Sequence, residues 1–113
     1  MPTLSLRIDL DPEGRIGPGK IELLEHIASF GSISAGARQM NMSYKHAWSL
    51  VEEMNALFGR PVIAAQKGGP GGGGAELTAI GLALVTRYRA IERAALAAAE
   101  AHLTALQKEL AEK

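Results

Sequence analysis

The chain lacks several features that would place it in other protein classes. It has no cysteine, which excludes disulfide bonds and thiolate metal sites together. Its basic and acidic residues are equal in number, so it does not have the strongly basic composition expected of an isolated DNA-binding domain. No apolar run is long and uncharged enough to span a bilayer. We therefore expect a cytoplasmic protein with no membrane contact, no metal site and no cofactor.

What is present suffices for one folded domain. The 113 residues can bury a single modest core, and the hydrophobic fraction of 47% is ordinary for a globular chain. The N-terminus contains Asp9 and Asp11 and has no uninterrupted apolar segment, so it is not a secretory signal. The sequence predicts a single domain over residues 1–113, mainly α-helical with a small amount of β-structure.

The N-terminal segment 1–16 has the pattern of a β-hairpin. Apolar and polar residues alternate over 4–10, as in a half-buried strand. Residues 11–14 have a turn composition, and 15–16 can form the returning strand. The acidic residues here resemble spaced calcium ligands, but the central glycine and final glutamate of an EF-hand loop are missing. We expect an edge hairpin rather than a metal site.

Residues 20–58 contain three helical patterns. The first covers 20–30 and is followed by Gly31, at the position where a left-handed residue usually ends a helix. Hydroxyl or amide side chains stand where the second and third helices would begin, and such side chains accept hydrogen bonds from free backbone N–H groups. The candidate caps are Ser32 or Ser34 for the second helix and Asn41 or Ser43 for the third. Two short helices joined by a polar turn predict a helix-turn-helix.

The third helix combines an apolar face with a polar first turn. Its apolar residues recur at spacings of three and four, which predicts a buried face with Trp48 under the following hairpin. That face comprises Ala47, Trp48, Leu50, Val51, Met54, Leu57 and Phe58. The exposed positions at its start reach base edges and phosphates in a helix-turn-helix. These candidate DNA contacts are Ser43, Tyr44, Lys45, His46 and Ser49.

A glycine-rich segment follows and predicts a wing over residues 60–77. Strand-like residues 62–66 and 75–77 flank a loop, 67–74, that holds six glycines and one proline. Such a loop lets Lys67 and the backbone of Gly68 and Gly69 lie along phosphates or in the minor groove. A nucleotide-binding P-loop is excluded because Lys and Ser or Thr do not follow the last glycine. A hairpin tip without a partner is the alternative.

The last segment, 78–110, predicts one long helix capped by Thr78 and about 45 Å in length. This helix is too long for so small a domain to cover, so its later apolar stripe would face solvent in a monomer. Small alanines let a second helix approach closely, which predicts a homodimer. The alternative is a tail stabilised by helix propensity alone. The predicted dimerisation residues are Leu84, Tyr88, Ile91, Ala95, Leu96, Ala99, Leu103, Leu106 and Leu110.

These stretches together resemble one known family. The segments GSISAGARQMNMSYKHAWSLVEEMN at 31–55 and GGPGGGGAELT at 68–78, with Gly81 opening the last helix, are similar to the N-terminal DNA-binding domain of the ModE family of molybdate-responsive regulators. That domain is related to the LysR-type winged helix-turn-helix. The resemblance implies a homodimer that binds double-stranded DNA, with Ser43, Tyr44, Lys45 and His46 at the major groove. It places Ser34 and Gln39 near the DNA backbone.

Members of this family commonly carry C-terminal molybdate-binding domains, and this chain ends at Lys113 without them. A link to molybdenum metabolism is therefore implied by the resemblance, but no small-molecule effector site is expected within the chain. An enzyme is not expected, because no nucleophile with a paired base and no carboxylate pair is apparent. The leading hypothesis is a transcriptional regulator. The alternative is a protein-interaction module that pairs with another regulator, which the neutral net charge favours.

Overall fold

The structure is a computed structural model that describes residues 2–66 and 74–111. A two-stranded sheet comes first, three helices follow, and a second two-stranded sheet precedes a long final helix. This order confirms the predicted winged helix-turn-helix. In chain order the elements are β1 (Ile8–Leu10), β2 (Gly14–Ile16), α1 (Pro18–Phe30), α2 (Ile33–Gln39), α3 (Tyr44–Phe58), β3 (Ile63–Gln66), β4 (Gly74–Leu77) and α4 (Ala79–Lys108).

The N-terminal hairpin is shorter than the alternating pattern predicts. Strands β1 and β2 pair antiparallel, but the pairing begins at Ile8. The predicted start of the first strand at Leu4 is therefore wrong. The reason is that β2 offers only three residues before Pro18 begins α1. The preceding segment contacts α4 instead, where the Tyr88 hydroxyl donates a hydrogen bond to the Leu6 carbonyl at 2.8 Å.

Local caps set the limits of the helices, as the sequence predicts. Gly31 ends α1 with a φ of 78°, a left-handed conformation that glycine adopts without strain. The helix starts at Pro18, earlier than the predicted Lys20, because the fixed φ of proline suits a first turn. Three hydroxyl caps begin the later helices, each accepting a hydrogen bond from a backbone N–H. They are Ser32 from Ala35 at 3.0 Å, Ser43 from His46 at 3.0 Å and Thr78 from Gly81 at 3.2 Å.

The core lies between α1, α3 and the first turns of α4. It takes most of its volume from α1, which buries four aliphatic side chains, and from one line of α3. Its buried members are Ile16, Ile21, Leu23, Leu24, Ile27, Ala37, Ala47, Val51, Met54, Val62, Ile63, Ala75 and Tyr88. Trp48 is not among them. Its predicted burial is wrong, since 42% of the residue is exposed.

Helix α4 is attached to the domain through its first half. Arg89 forms a bidentate ion pair with the Glu25 carboxylate of α1, with N–O distances of 2.6 and 3.0 Å. It also donates a hydrogen bond of 2.7 Å to Glu92. These hydrogen bonds raise the pKa of Arg89, which therefore stays charged. Burial raises the pKa of the neighbouring Tyr88 hydroxyl. Among the described helices, none has the length and apolarity needed to cross a membrane.

The predicted dimerisation residues divide into two groups. Leu84 packs against the core, and Tyr88 is buried with 1% exposure, so the prediction that Tyr88 contacts a partner chain is wrong. Its hydroxyl donates a hydrogen bond to the Leu6 carbonyl, and its ring is buried within the same chain. The remaining residues run from near the middle of α4 to just past its end and are exposed or partly exposed: Ile91, Ala95, Leu96, Ala99, Leu103, Leu106 and Leu110.

Candidate nucleic-acid interface

The first turn of α3 presents a polar surface that is exposed to solvent. The Ser43 hydroxyl accepts the His46 N–H, and the Ser43 carbonyl accepts the Ala47 N–H at 3.0 Å. The helix begins at Tyr44, so the N–H groups of Tyr44 and Lys45 point out of its N-terminus without helical partners. Together with the helix dipole, such groups attract phosphate. The geometry therefore suits an anionic partner at this end of α3.

The side chains of this turn face away from the core. Ala47 at the same end of the helix is fully buried, and this fixes the rotation of α3. The predicted contacts Ser43, Lys45, His46 and Ser49 are all exposed, and Tyr44 is 56% exposed. The structure therefore brings these five side chains together at one solvent-facing end of α3.

Helix α2 contributes a second set of exposed residues. Ser34 lies in its first turn and Gln39 at its end, and both predicted contacts are exposed. Arg38 is exposed beside Gln39 and was missed by the sequence analysis. The pattern that identifies Arg38 is a basic residue in the last turn of α2, just before the turn at Asn41, whose φ is +53°. A guanidinium at this position supplies the positive charge that the predicted set lacked on α2.

The base of the wing is held firmly against the helices. Strands β3 and β4 pair antiparallel, with Ala65 opposite Ala75. The Ala75 N–H donates to the Gly31 carbonyl at 2.7 Å, so β4 is joined to the end of α1. The Asn55 side chain of α3 accepts the Val62 N–H at 2.8 Å, which ties the start of the wing to the recognition helix. The predicted contacts Lys67, Gly68 and Gly69 lie outside the described residues.

A groove of about 610 Å³ separates the recognition helix from the wing. Tyr44 and Trp48 of α3 line one wall, one helical turn apart. The start of α2 and both wing strands line the rest. In the described part of the chain the lining residues carry no formal charge, and they are Ser32, Ile33, Ser34, Tyr44, Trp48, Asn55, Pro61, Ile63, Ala65, Gly74 and Ala75.

Acidic residues limit the candidate interface along α3. Glu52 and Glu53 are exposed on the turn after Ser49, and Glu52 accepts a hydrogen bond from the Asn55 amide at 3.4 Å. Carboxylates repel phosphate, so the surface that suits a nucleic acid ends before Glu52. Within residues 2–66 and 74–111, no group of three or more histidine or acidic side chains is arranged to hold a metal ion.

No family model matches this sequence. The chain is similar to two proteins of Rhodobacter capsulatus, the molybdenum-pterin-binding proteins MopB and MopA. Identity to MopB is 49% over 69% of this chain, and identity to MopA is 40% over 85% of this chain. It is 48% identical, over 63% of its length, to the DNA-binding transcriptional dual regulator ModE of Escherichia coli K12. These matches cover 29%, 37% and 27% of the three relatives, so the chain spans about a third of their length.

Among solved structures, the described fold is similar to the protein in the crystal structure of a CbnR_DBD–DNA complex. The TM-score is 0.58 at 20% identity, and the match covers 78% of this chain and 95% of that one. At this identity the likeness supports the fold alone. It agrees with the winged helix-turn-helix arrangement of α2, α3 and the β3–β4 wing.

Proposed function

The chain carries a ModE-like helix-turn-helix domain, and on that premise we propose that it binds operator DNA as a sequence-specific transcriptional regulator. One observation carries the proposal: the start of α2, Tyr44 and Trp48 of α3 and both wing strands line one solvent-exposed groove beside the capped first turn of α3. The exposed side chains of that first turn are polar, basic or aromatic, and the exposed acids of α3 begin only at Glu52. This is the arrangement that a helix needs to enter a major groove.

The roles of the contacts follow from their chemistry. Lys45 donates to a phosphate oxygen or to a guanine, and the Tyr44 hydroxyl donates to a phosphate. Ser34, Gln39 and Arg38 lie on α2, from which they reach the DNA phosphates on one side of the major groove.

The proposed regulator is a homodimer built on α4. This helix has 30 residues, about 45 Å, but only its first half packs on the domain. Its later apolar side chains are exposed, with Leu106 at 67%. An apolar groove of about 210 Å³ lies beside α4, bounded by Ile8, Leu10 and Phe58. A second copy of α4 would cover these surfaces, and the two recognition helices would then meet major grooves about one helical turn, or a multiple of it, apart.

Selection of bound sequences from random duplexes tests this proposal. We expect a two-fold symmetric motif, and fluorescence anisotropy of the labelled duplex should show affinity that falls as salt rises. Lys45→Ala should weaken binding about tenfold and lower the salt slope by about one per subunit. Lys108→Ala, which removes the same charge from the last turn of α4, is the control. Absence of binding even at low ionic strength, or an affinity independent of salt, would refute the function.

A protein-interaction module is the second candidate, and the exposed leucines of α4 together with the zero net charge favour it. In that case the chain would form a stable complex with a different regulator and show no operator affinity of its own. Light scattering on the purified chain separates the two. A mass twice that of one chain supports the homodimer, whereas a monomer that assembles only with another protein supports the module.

A further inference from the structure

The position of Trp48 is unexpected for a tryptophan in a small domain. It is the only tryptophan in the chain, and large aromatic side chains usually supply core volume. Here the core is completed by Ala47, Val51 and Met54 of the same helix, and Trp48 lies outside it. Trp48 shares its exposed groove with the aromatic ring of Tyr44, so an amphipathic aromatic surface on the recognition helix is accessible to another molecule.

The surroundings of Trp48 restrict what that molecule offers. Among residues 2–66 and 74–111, none that lines its groove is charged, so this surface does not suit a phosphate, which Lys45 and Arg38 outside the groove would attract. The Asn55 amide is not free for recognition, because its oxygen accepts the Val62 N–H and its nitrogen donates to Glu52. Apart from the Ser32 and Ser34 hydroxyls at its α2 end, the remaining described surface is mainly aromatic and aliphatic. It therefore suits an apolar group that projects from a base edge.

We propose that Trp48, with Tyr44 beside it, packs against the C5-methyl group of a thymine and makes the chain specific for that base in each half-site. This inference rests on the proposed function and adds to it a base that the resemblance does not supply. In the major groove, thymine alone among the four bases presents an apolar group, so an exposed indole discriminates by that methyl. Trp48 lies one helical turn after Tyr44, on the wall of α3 that faces the wing groove, beside the exposed first turn that holds Lys45.

The selected operator duplex provides the first test. Trp48 is the sole tryptophan, so all tryptophan emission reports on this one side chain. Duplex binding is followed independently by the anisotropy of a label on the DNA. We expect the bound protein to show blue-shifted emission and at least a twofold lower acrylamide quenching constant. If acrylamide already quenches the Trp48 emission only weakly in the free protein, the wing covers Trp48, and the inference is overturned.

Uracil substitution provides the second test, since it removes only the methyl group. Replacing each thymine of one half-site in turn should weaken binding at one position by about fourfold, the factor that corresponds to one buried CH₂ group. Trp48→Ala should abolish the difference between thymine and uracil at that position. Trp48→Phe should retain part of it. Leu82→Ala, which truncates a 57% exposed leucine of α4, is the matched control and should leave the difference unchanged.

The outcomes separate this inference from the function on which it rests. If no duplex binds, the proposed function fails and the inference fails with it. If a symmetric operator binds but Trp48 emission is unaltered, or if Trp48→Ala discriminates thymine from uracil as the parent does, only the inference is refuted. Circular dichroism of Trp48→Ala guards against misfolding, and Trp48→Phe supplies the same comparison if the alanine variant is unstable.

Discussion

The junction between the wing and α4 offers the sharpest test of the described packing. Gly81 is buried in the first turn of α4, and a Cβ atom placed on it would stand 2.1 Å from the Val62 carbonyl oxygen. Carbon–oxygen contacts in proteins begin at about 3.3 Å, so Gly81→Ala requires a shift of about 1 Å. The obstacle is backbone, and the same carbonyl accepts the Thr78 N–H at 3.0 Å. A side-chain rotation therefore cannot relieve the clash.

The expected cost combines opposing effects. Overpacking of this kind costs up to about 3 kcal/mol. Loss of the Thr78 to Val62 hydrogen bond adds about 1 kcal/mol. The better helix propensity of alanine returns about 1 kcal/mol. We expect Gly81→Ala to lower the free energy of unfolding by about 2 to 3 kcal/mol. For a chain of this size, that corresponds to a melting temperature lowered by roughly 10 °C.

Gly19→Ala is the matched control for this variant. Gly19 lies in the first turn of α1, and a Cβ there would meet nothing within 4 Å. The same chemical change should therefore stabilise the fold by about 0.4 to 1 kcal/mol, through the unfolded chain. Urea unfolding followed by circular dichroism, at one fixed protein concentration, measures both variants. If Gly81→Ala is as stable as Gly19→Ala, α4 does not approach the Val62 carbonyl closely and the described junction is wrong.

Three further predictions concern hydrogen bonds. Tyr88→Phe should cost about 1 kcal/mol in urea unfolding. Burial raises the pKa of Tyr88 above 10.0, so the parent should lose stability as pH rises through that raised value, and the variant should lose less. Asn55→Ala leaves the Val62 N–H without its acceptor, and amide hydrogen exchange should show faster exchange there. Ser43→Ala removes the α3 cap and should cost about 1 kcal/mol, whereas exposed Ser49→Ala should stay within about 0.5 kcal/mol; equal losses would contradict the assigned cap.

Much of the fold was predictable because its boundaries depend on local chemistry. A glycine at 31 and hydroxyl side chains at 32, 43 and 78 end or begin helices through contacts within a few residues, and each lies where the sequence predicted a boundary. The wing was predictable from two strand-like segments around a glycine run. Its base is described, with β3 and β4 paired as expected.

The candidate site was predictable in part. Exposure of the first turn of α3 follows from the apolar period, because Ala47 and Val51 define the buried side. Arg38 was missed because its exposure depends on how α2 lies across α1 and α3. Whether these residues contact DNA stays a prediction that the operator experiments address.

The sequence by itself determined the order of elements, their caps and the resemblance to ModE, because these depend on neighbouring residues and short motifs. Only the tertiary structure decided where residues at the edge of an apolar stripe lie. Trp48 is about 100° around the helix from Ala47, so either burial or exposure fits the period. Packing of α2 and the wing left it in a groove. Tyr88 was turned inward because Leu6 supplied a partner for its hydroxyl, a contact between distant segments that no local pattern encodes.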